Sequence, residues 1–140
     1  MKMLIQKLHP DAKIPTFAHV EDAGMDLYAS CALEILVGER VQVPTGIALA
    51  IPVGHVGLIW DKSGISHKGG MKTLGGVVDA GYRGEVLVGL VNLGQETYRI
   101  EKGDKVAQML IQKVEHPDIE IVDTLDETLR GTGGFGSTGK

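Results

Sequence analysis

VQVPTGIALAIPVG, residues 41–54, decides the fold class. Val41, Val43, Ile47, Leu49 and Ile51 fall on odd positions, the period-2 alternation of a half-buried strand, with a turn expected at Pro44-Thr45-Gly46. Downstream, VLVGLVNLG (86–94) is almost continuously apolar, which predicts a strand buried on both faces. The 20 glycines and 5 prolines are spread so that few windows have room for a long helix. The three longest such windows (25–37, 104–116 and 118–130) are read mainly as strand. A single short helix of about one turn is expected after Ser63, a good N-cap, because Ile65-Ser66-His67-Lys68 stops at the Gly69-Gly70 pair. An all-β domain over residues 1–130 follows. GTGGFGSTGK (131–140) has five glycines and one large apolar side chain, so it reads as a flexible arm.

The 140 residues, 43% of them apolar, suit one domain. Net charge is −4 and no two Lys or Arg are adjacent, which gives nucleic acid or a membrane surface little to hold. No apolar stretch approaches the ~20 residues of a membrane span, and the N-terminus lacks a signal-peptide core. A soluble cytoplasmic protein is expected. Cys31 is the only cysteine, so no intrachain disulfide forms, and it reads as a small core residue.

Six aromatics are present. Tyr28, Tyr82 and Phe135 stand in Gly-rich or charged segments, whereas Phe17, Trp60 and Tyr98 read as packing residues. Asp79, in GGVVDAGYRGE (75–85), follows the apolar pair Val77-Val78 and precedes Ala-Gly. That context suits either a plain turn residue or a general base at a strand end. Arg83 is placed for a phosphate or for a structural ion pair. DKSGIS (61–66) offers a cation, a hydroxyl and free amides, the makings of a phosphate-binding turn. The tail spells G-x-x-x-x-G-K from Gly134, but no Ser or Thr follows and no helix can form, so a Walker A site is rejected. Its glycines, with Arg130, Ser137 and Thr138, remain suited to an anion. The five histidines are scattered, which disfavours zinc, while Mg²⁺ carried mainly by ligand phosphates is compatible.

Taken in order, five segments resemble the five motifs of the trimeric dUTPase family: AGMDLYA (23–29), DKSGIS (61–66), GGVVDAGYRGE (75–85), KGDKVAQM (102–109) and RGTGGFGSTG (130–139). The resemblance implies a β-jelly-roll subunit of β-clip type in a homotrimer that hydrolyses dUTP to dUMP and pyrophosphate. Its active sites would draw residues from different subunits. By that analogy Asp79 activates the attacking water, Gln108 helps position water and phosphates, and Asp26 supports Mg²⁺ through water. Lys62, Ser63 and Gly64 would grip the phosphates. Gly76, Val77 and Val78 belong to a hairpin whose backbone reads uracil, and Tyr82 packs on deoxyribose. Arg83, Arg130, Gly136, Ser137 and Thr138 would attend the phosphates, with Phe135 covering the base.

Two positions depart from the family pattern. Lys62 stands where Arg is common and has an acidic neighbour, Asp61. Gly81 stands where many members carry an acid, and the resulting Asp-x-Gly-aromatic pattern resembles the third motif of dCTP deaminase. That deaminase, and a catalytically idle nucleotide-binding regulator, are the alternative readings. The absence of any acid in 86–92 opposes the former.

Overall fold

A computed structural model describes residues 1–134; Phe135, Gly136, Ser137 and Thr138 lie outside the described residues. In chain order the elements are β1 (Leu4–Lys7), β2 (Met25–Tyr28), β3 (Leu33–Ile35), β4 (Arg40–Ala50), β5 (His55–Trp60) and α1 (Ser63–Gly69). They continue with β6 (Met71–Leu74), β7 (Val77–Val78), β8 (Glu85–Asn92), β9 (Tyr98–Ile100) and β10 (Lys105–Lys113). The fold is all-β with one short helix. Two four-stranded antiparallel sheets, ordered β1-β4-β8-β6 and β2-β10-β5-β7, are accompanied by the ribbon β3-β9. Their inner faces enclose one core in which Leu27, Val43, Val88, Leu90, Ala107 and Met109 are fully buried.

The deciding stretch forms one strand, β4, and the expected Pro-Thr-Gly turn is instead a bulge. Pro44 pairs with Leu87 and Ala48 with Glu85, so three residues of β4 oppose the single Val86. Side chains replace the lost ladder bonds: Thr45 Oγ1 donates to the Val86 carbonyl at 2.6 Å, and the Gly46 amide donates to Glu85 Oε1 at 2.7 Å. Gly46 takes the left-handed φ of 71° that such a kink requires.

Four further expectations are corrected. β8 is buried on one face only, since Val86, Val88, Leu90 and Asn92 point inward while Leu87 is exposed. Residues 118–130 form no strand, and Ile119, Ile121, Leu125 and Leu129 lie almost fully exposed. The helix runs seven residues, with Lys62 rather than Ser63 at the cap position and no side-chain cap bond. Cys31 is exposed, as are Phe17 and Trp60, whereas Tyr28 ends β2 with its hydroxyl 2.6 Å from Thr16 Oγ1. For the strand residues, burial depends on which strand lies alongside, and local composition does not carry that information.

The polar residue Asn92 is fully buried at the end of β8. Its Nδ2 donates to the carbonyls of Ile35 (2.9 Å) and Glu96 (2.8 Å), and its Oδ1 accepts from the Gly94 amide at 2.8 Å. One side chain thereby ties β8 to β3 and to the loop before β9. Asn92→Ala leaves these groups without partners, and the unfolding free energy should fall by about 2 kcal/mol. Urea denaturation at fixed protein concentration measures this; a loss of a few tenths would mean that the pin contributes nothing.

Candidate functional site

The strand β10 lies between β2 and β5, pairing Gln108 with Asp26 on one side and with Trp60 on the other. That register puts the segments 23–29, 61–66 and 102–109 in one row. Asp26 is buried among them, a costly place for a carboxylate unless it is paired. Lys62 Nζ donates to its Oδ1 at 2.6 Å, and Lys105 Nζ stands 2.7 Å from its Oδ2. The two ammonium groups thus pair both oxygens of the buried carboxylate, and Oδ2 has no partner besides Lys105. Burial pushes the Asp26 carboxyl up, but Lys105 and Lys62 outweigh it and hold the group below the ordinary carboxylate range. Asp26 in turn pushes the Lys105 ammonium up.

Gln108 is half-buried, and its Nε2 donates to the Asp61 carbonyl at 2.9 Å. A Cβ on Gly24 would stand 2.6 Å from Gln108 Oε1, so the glycine of AGMD leaves room for this amide. Ser63 and Gly64 open α1 on the exposed side.

The second group of residues lies at the other edge of the same sheet. Gly76, Val77, Val78, Asp79 and Tyr82 line a cleft of about 250 Å³, shared with Gln42. β7 is held by pairing of Val78 with Gly57 and Val77 with Leu58, and the Gly76 carbonyl accepts from the Ile59 amide at 2.7 Å. Gly76 has φ 103°, and a Cβ there would meet the Ile59 carbonyl oxygen at 2.6 Å, so only glycine fits. Asp79 is exposed at the start of a turn closed by the Tyr82 amide donating to its carbonyl at 3.0 Å. The Tyr82 hydroxyl donates to the Glu85 carbonyl at 3.0 Å, and its ring crosses Gly84, where a Cβ would stand 2.3 Å from the hydroxyl.

Arg83 and Arg130 face their own backbone. Arg83 Nη1 donates to the carbonyls of Ala80 and Tyr82, both at 2.7 Å, and Arg130 Nε donates to that of Gly133 at 2.7 Å.

The two groups do not meet within one chain. Asp26 is level with Trp60 and Val78 with Gly57, three residues along β5 and three strands across the sheet. At ~3.3 Å per residue and ~4.8 Å per strand, Asp79's turn begins roughly 18 Å from Asp26. Sequence reasoning missed Lys105 as a partner of Asp26 and Asp61 as a hub. The Lys105 charge stands in KGDKVAQM, but only strand pairing reveals what it faces.

Among the described residues no group of three or more His, Cys, Asp or Glu is arranged to hold a metal ion. No described helix is long and apolar enough to cross a membrane.

A family model described as dUTPase matches residues 10–139. The deoxyuridine 5'-triphosphate nucleotidohydrolase of Rhodococcus erythropolis is 47% identical, covering 99% of this chain and 87% of that protein. The protein of that name from Corynebacterium diphtheriae is 48% identical, covering 96% and 91%. Among solved structures, the Staphylococcus bacteriophage 80alpha dUTPase with dUpNHpp has a TM-score of 0.94 at 28% identity, covering 99% of each chain. A mutant dUTPase from phage phi11 of S. aureus, described for its coordination of a structural Mg(II) ion, has a TM-score of 0.83 at 26% identity, covering 89% and 98%. With that match over nearly its whole length, and a cleft and an ionic row that fall on the quoted motifs, the chain belongs to the dUTPase family.

Proposed function

We propose that this chain hydrolyses dUTP to dUMP and pyrophosphate, as a cytoplasmic homotrimer whose active sites combine residues of different subunits. The observation that carries the reading is Asp79 on the rim of a cleft walled by Gly76, Val77, Val78 and Tyr82. At about 250 Å³ the cleft has room for a base and sugar and not for a triphosphate as well. Backbone groups of 77–82 read the uracil edge. A cytosine, with its donor and acceptor reversed, leaves buried groups unpaired and is rejected by factors of about 10⁴. The Tyr82 ring, held by its hydroxyl and by the space over Gly84, is a fixed wall against the sugar that excludes a 2′-hydroxyl.

Asp79 acts as general base. Its carboxylate takes a proton from a water whose oxygen attacks the α-phosphorus in line; the bond to the α,β-bridging oxygen breaks, and pyrophosphate leaves. Lys62, Ser63 and Gly64 grip the phosphates from a second copy. Lys62 does so as a point charge, without the bidentate fork of an arginine. Arg83 keeps Nε and Nη2, and Arg130 both Nη groups, for the phosphates, while the remaining nitrogens hold the carbonyls of Ala80, Tyr82 and Gly133. Residues 131–140 form an arm that closes over the site, Phe135 on the base and Gly136, Ser137 and Thr138 on the phosphates.

The donor set fits a Mg²⁺ ion carried mainly by the phosphates. Asp26 offers one carboxylate already paired with Lys62 and Lys105, and Gln108 an amide beside it, which is too few ligands for a protein cage, so Asp26 would support the ion through water. When bound, such an ion would supply positive charge against the phosphates.

The trimer is supported by the ~18 Å between the two halves of the site and by the bare apolar side chains of 119–129, which another copy would cover. The exposed thiol of Cys31 suits a reducing compartment.

Three measurements test the reading. A substrate panel should release pyrophosphate from dUTP and neither pyrophosphate nor ammonia from dCTP; ammonia from dCTP would identify a deaminase. Asp79→Asn should bind dUpNHpp as the wild type does while turnover drops by about 10²–10⁴, and unchanged turnover would remove Asp79 from the mechanism. Deleting 131–140 should lower hydrolysis with the trimer intact in sedimentation; dissociation would show the arm to be an assembly element.

A further inference from the structure

Asp61 adds a negative charge directly beside the turn proposed to grip phosphate, where a carboxylate is out of place. Its side chain is directed elsewhere. Oδ1 accepts from the Thr73 amide at 2.7 Å and from Thr73 Oγ1 at 2.8 Å, and Oδ2 accepts from Lys72 Nζ at 2.5 Å. Burial pushes this carboxyl up, but Lys72 and the two Thr73 donors outweigh it and hold it below the ordinary range. The main chain of the same residue is held from another direction, its carbonyl accepting from Gln108 Nε2 at 2.9 Å. One residue is therefore fixed by β6 through its side chain and by β10 through its backbone. The next residue is Lys62, whose ammonium reaches Asp26 at 2.6 Å.

We propose that Asp61 is a positioning residue for Lys62. It pins the peptide from which Lys62 projects, so that the ammonium meets the phosphate chain of the nucleotide; this rests on the dUTPase reading above. A lysine needs such help more than an arginine does, because its flexible four-carbon stem ends in a point charge with no planar fork to set its own geometry. The carboxylate charge does not count against the phosphates, since Lys72 neutralises it on the far side. A residue that merely stiffened the fold would change all ligands alike, whereas a positioning residue for Lys62 changes only those that carry phosphate.

Titration calorimetry of the full-length protein with dUpNHpp and with deoxyuridine, which has no phosphate, separates the two. Asp61→Ala should weaken dUpNHpp about tenfold, the scale of one well-placed interaction, while deoxyuridine binding stays within about twofold. Asp61→Asn retains an acceptor for both Thr73 donors and should recover most of the loss. Lys72→Ala uncovers the Asp61 charge but leaves both Thr73 donors in place, so it should weaken dUpNHpp by less than Asp61→Ala does. Equal weakening of both ligands, no weakening of either, or no recovery with Asn would overturn the proposal. If Asp61→Ala does not fold, Thr73→Val removes one of the two Thr73 donors, and its selective loss for dUpNHpp decides the matter in the same way. Failure of the wild type to bind dUpNHpp would instead remove the dUTPase reading itself.

Discussion

The pairing of β10 with β2 and β5 sets the position of every group in the ionic half of the site. Gln108 stands opposite Asp26 and Trp60 at once, and a slip of one residue along β10 would turn its side chain to the opposite face and separate the row. Part of the register is secured by an irregularity. Lys105 pairs with Tyr28 and Ala107 with Leu27, so Val106 is an extra residue on β10, and both Val106 and Ala107 are buried where strict alternation would bury only one. The bulge lets Lys105 point at the Asp26 carboxylate while its two successors enter the core. Core packing and site geometry are thus fixed by the same residue.

The charges in that row follow from burial. A lone ionised carboxylate as deeply buried as Asp26 would be expensive, and removing one partner of a buried pair typically costs ~3–5 kcal/mol. Two lysines meet the need and leave the cluster with a surplus positive charge, although the chain as a whole carries −4. An anion brought to this row would meet that local field at short range and in partly desolvated surroundings, and the net charge bears on it only weakly.

Part of what depends on short-range pattern was legible in the sequence. The alternation in 41–51 is β4, the Gly-rich punctuation marks the loops, and the single helix follows DK at its expected place. Four of the five motifs fall on the two residue groups, while the second half of the fifth lies outside the described residues. What could not be read is set by neighbours distant in the chain. The bulge at Thr45 needs the Val86 carbonyl opposite it, the partner of Asp61 is Thr73 on another strand, and Trp60 is exposed because of the side of β5 on which it falls. Residues 118–130 misled for a related reason: Ile119, Ile121 and Val122 carry strand-like propensity, but among the described residues no sheet edge receives them.

The separation of the two halves is built into the sheet order. Asp79 follows β7, at one edge of β2-β10-β5-β7, and Asp26 lies on β2 at the other edge, so two complete strands stand between them. Rotamer changes move a carboxylate by a few ångströms and cannot cover ~18 Å, and a domain closure has no hinge to use when both ends belong to one hydrogen-bonded sheet. A water activated at Asp79 and a phosphate held at Lys62 can therefore belong to one reaction only if the lysine comes from another molecule. The antiparallel pairing that makes the chain rigid is, by the same geometry, what holds the two residue groups apart.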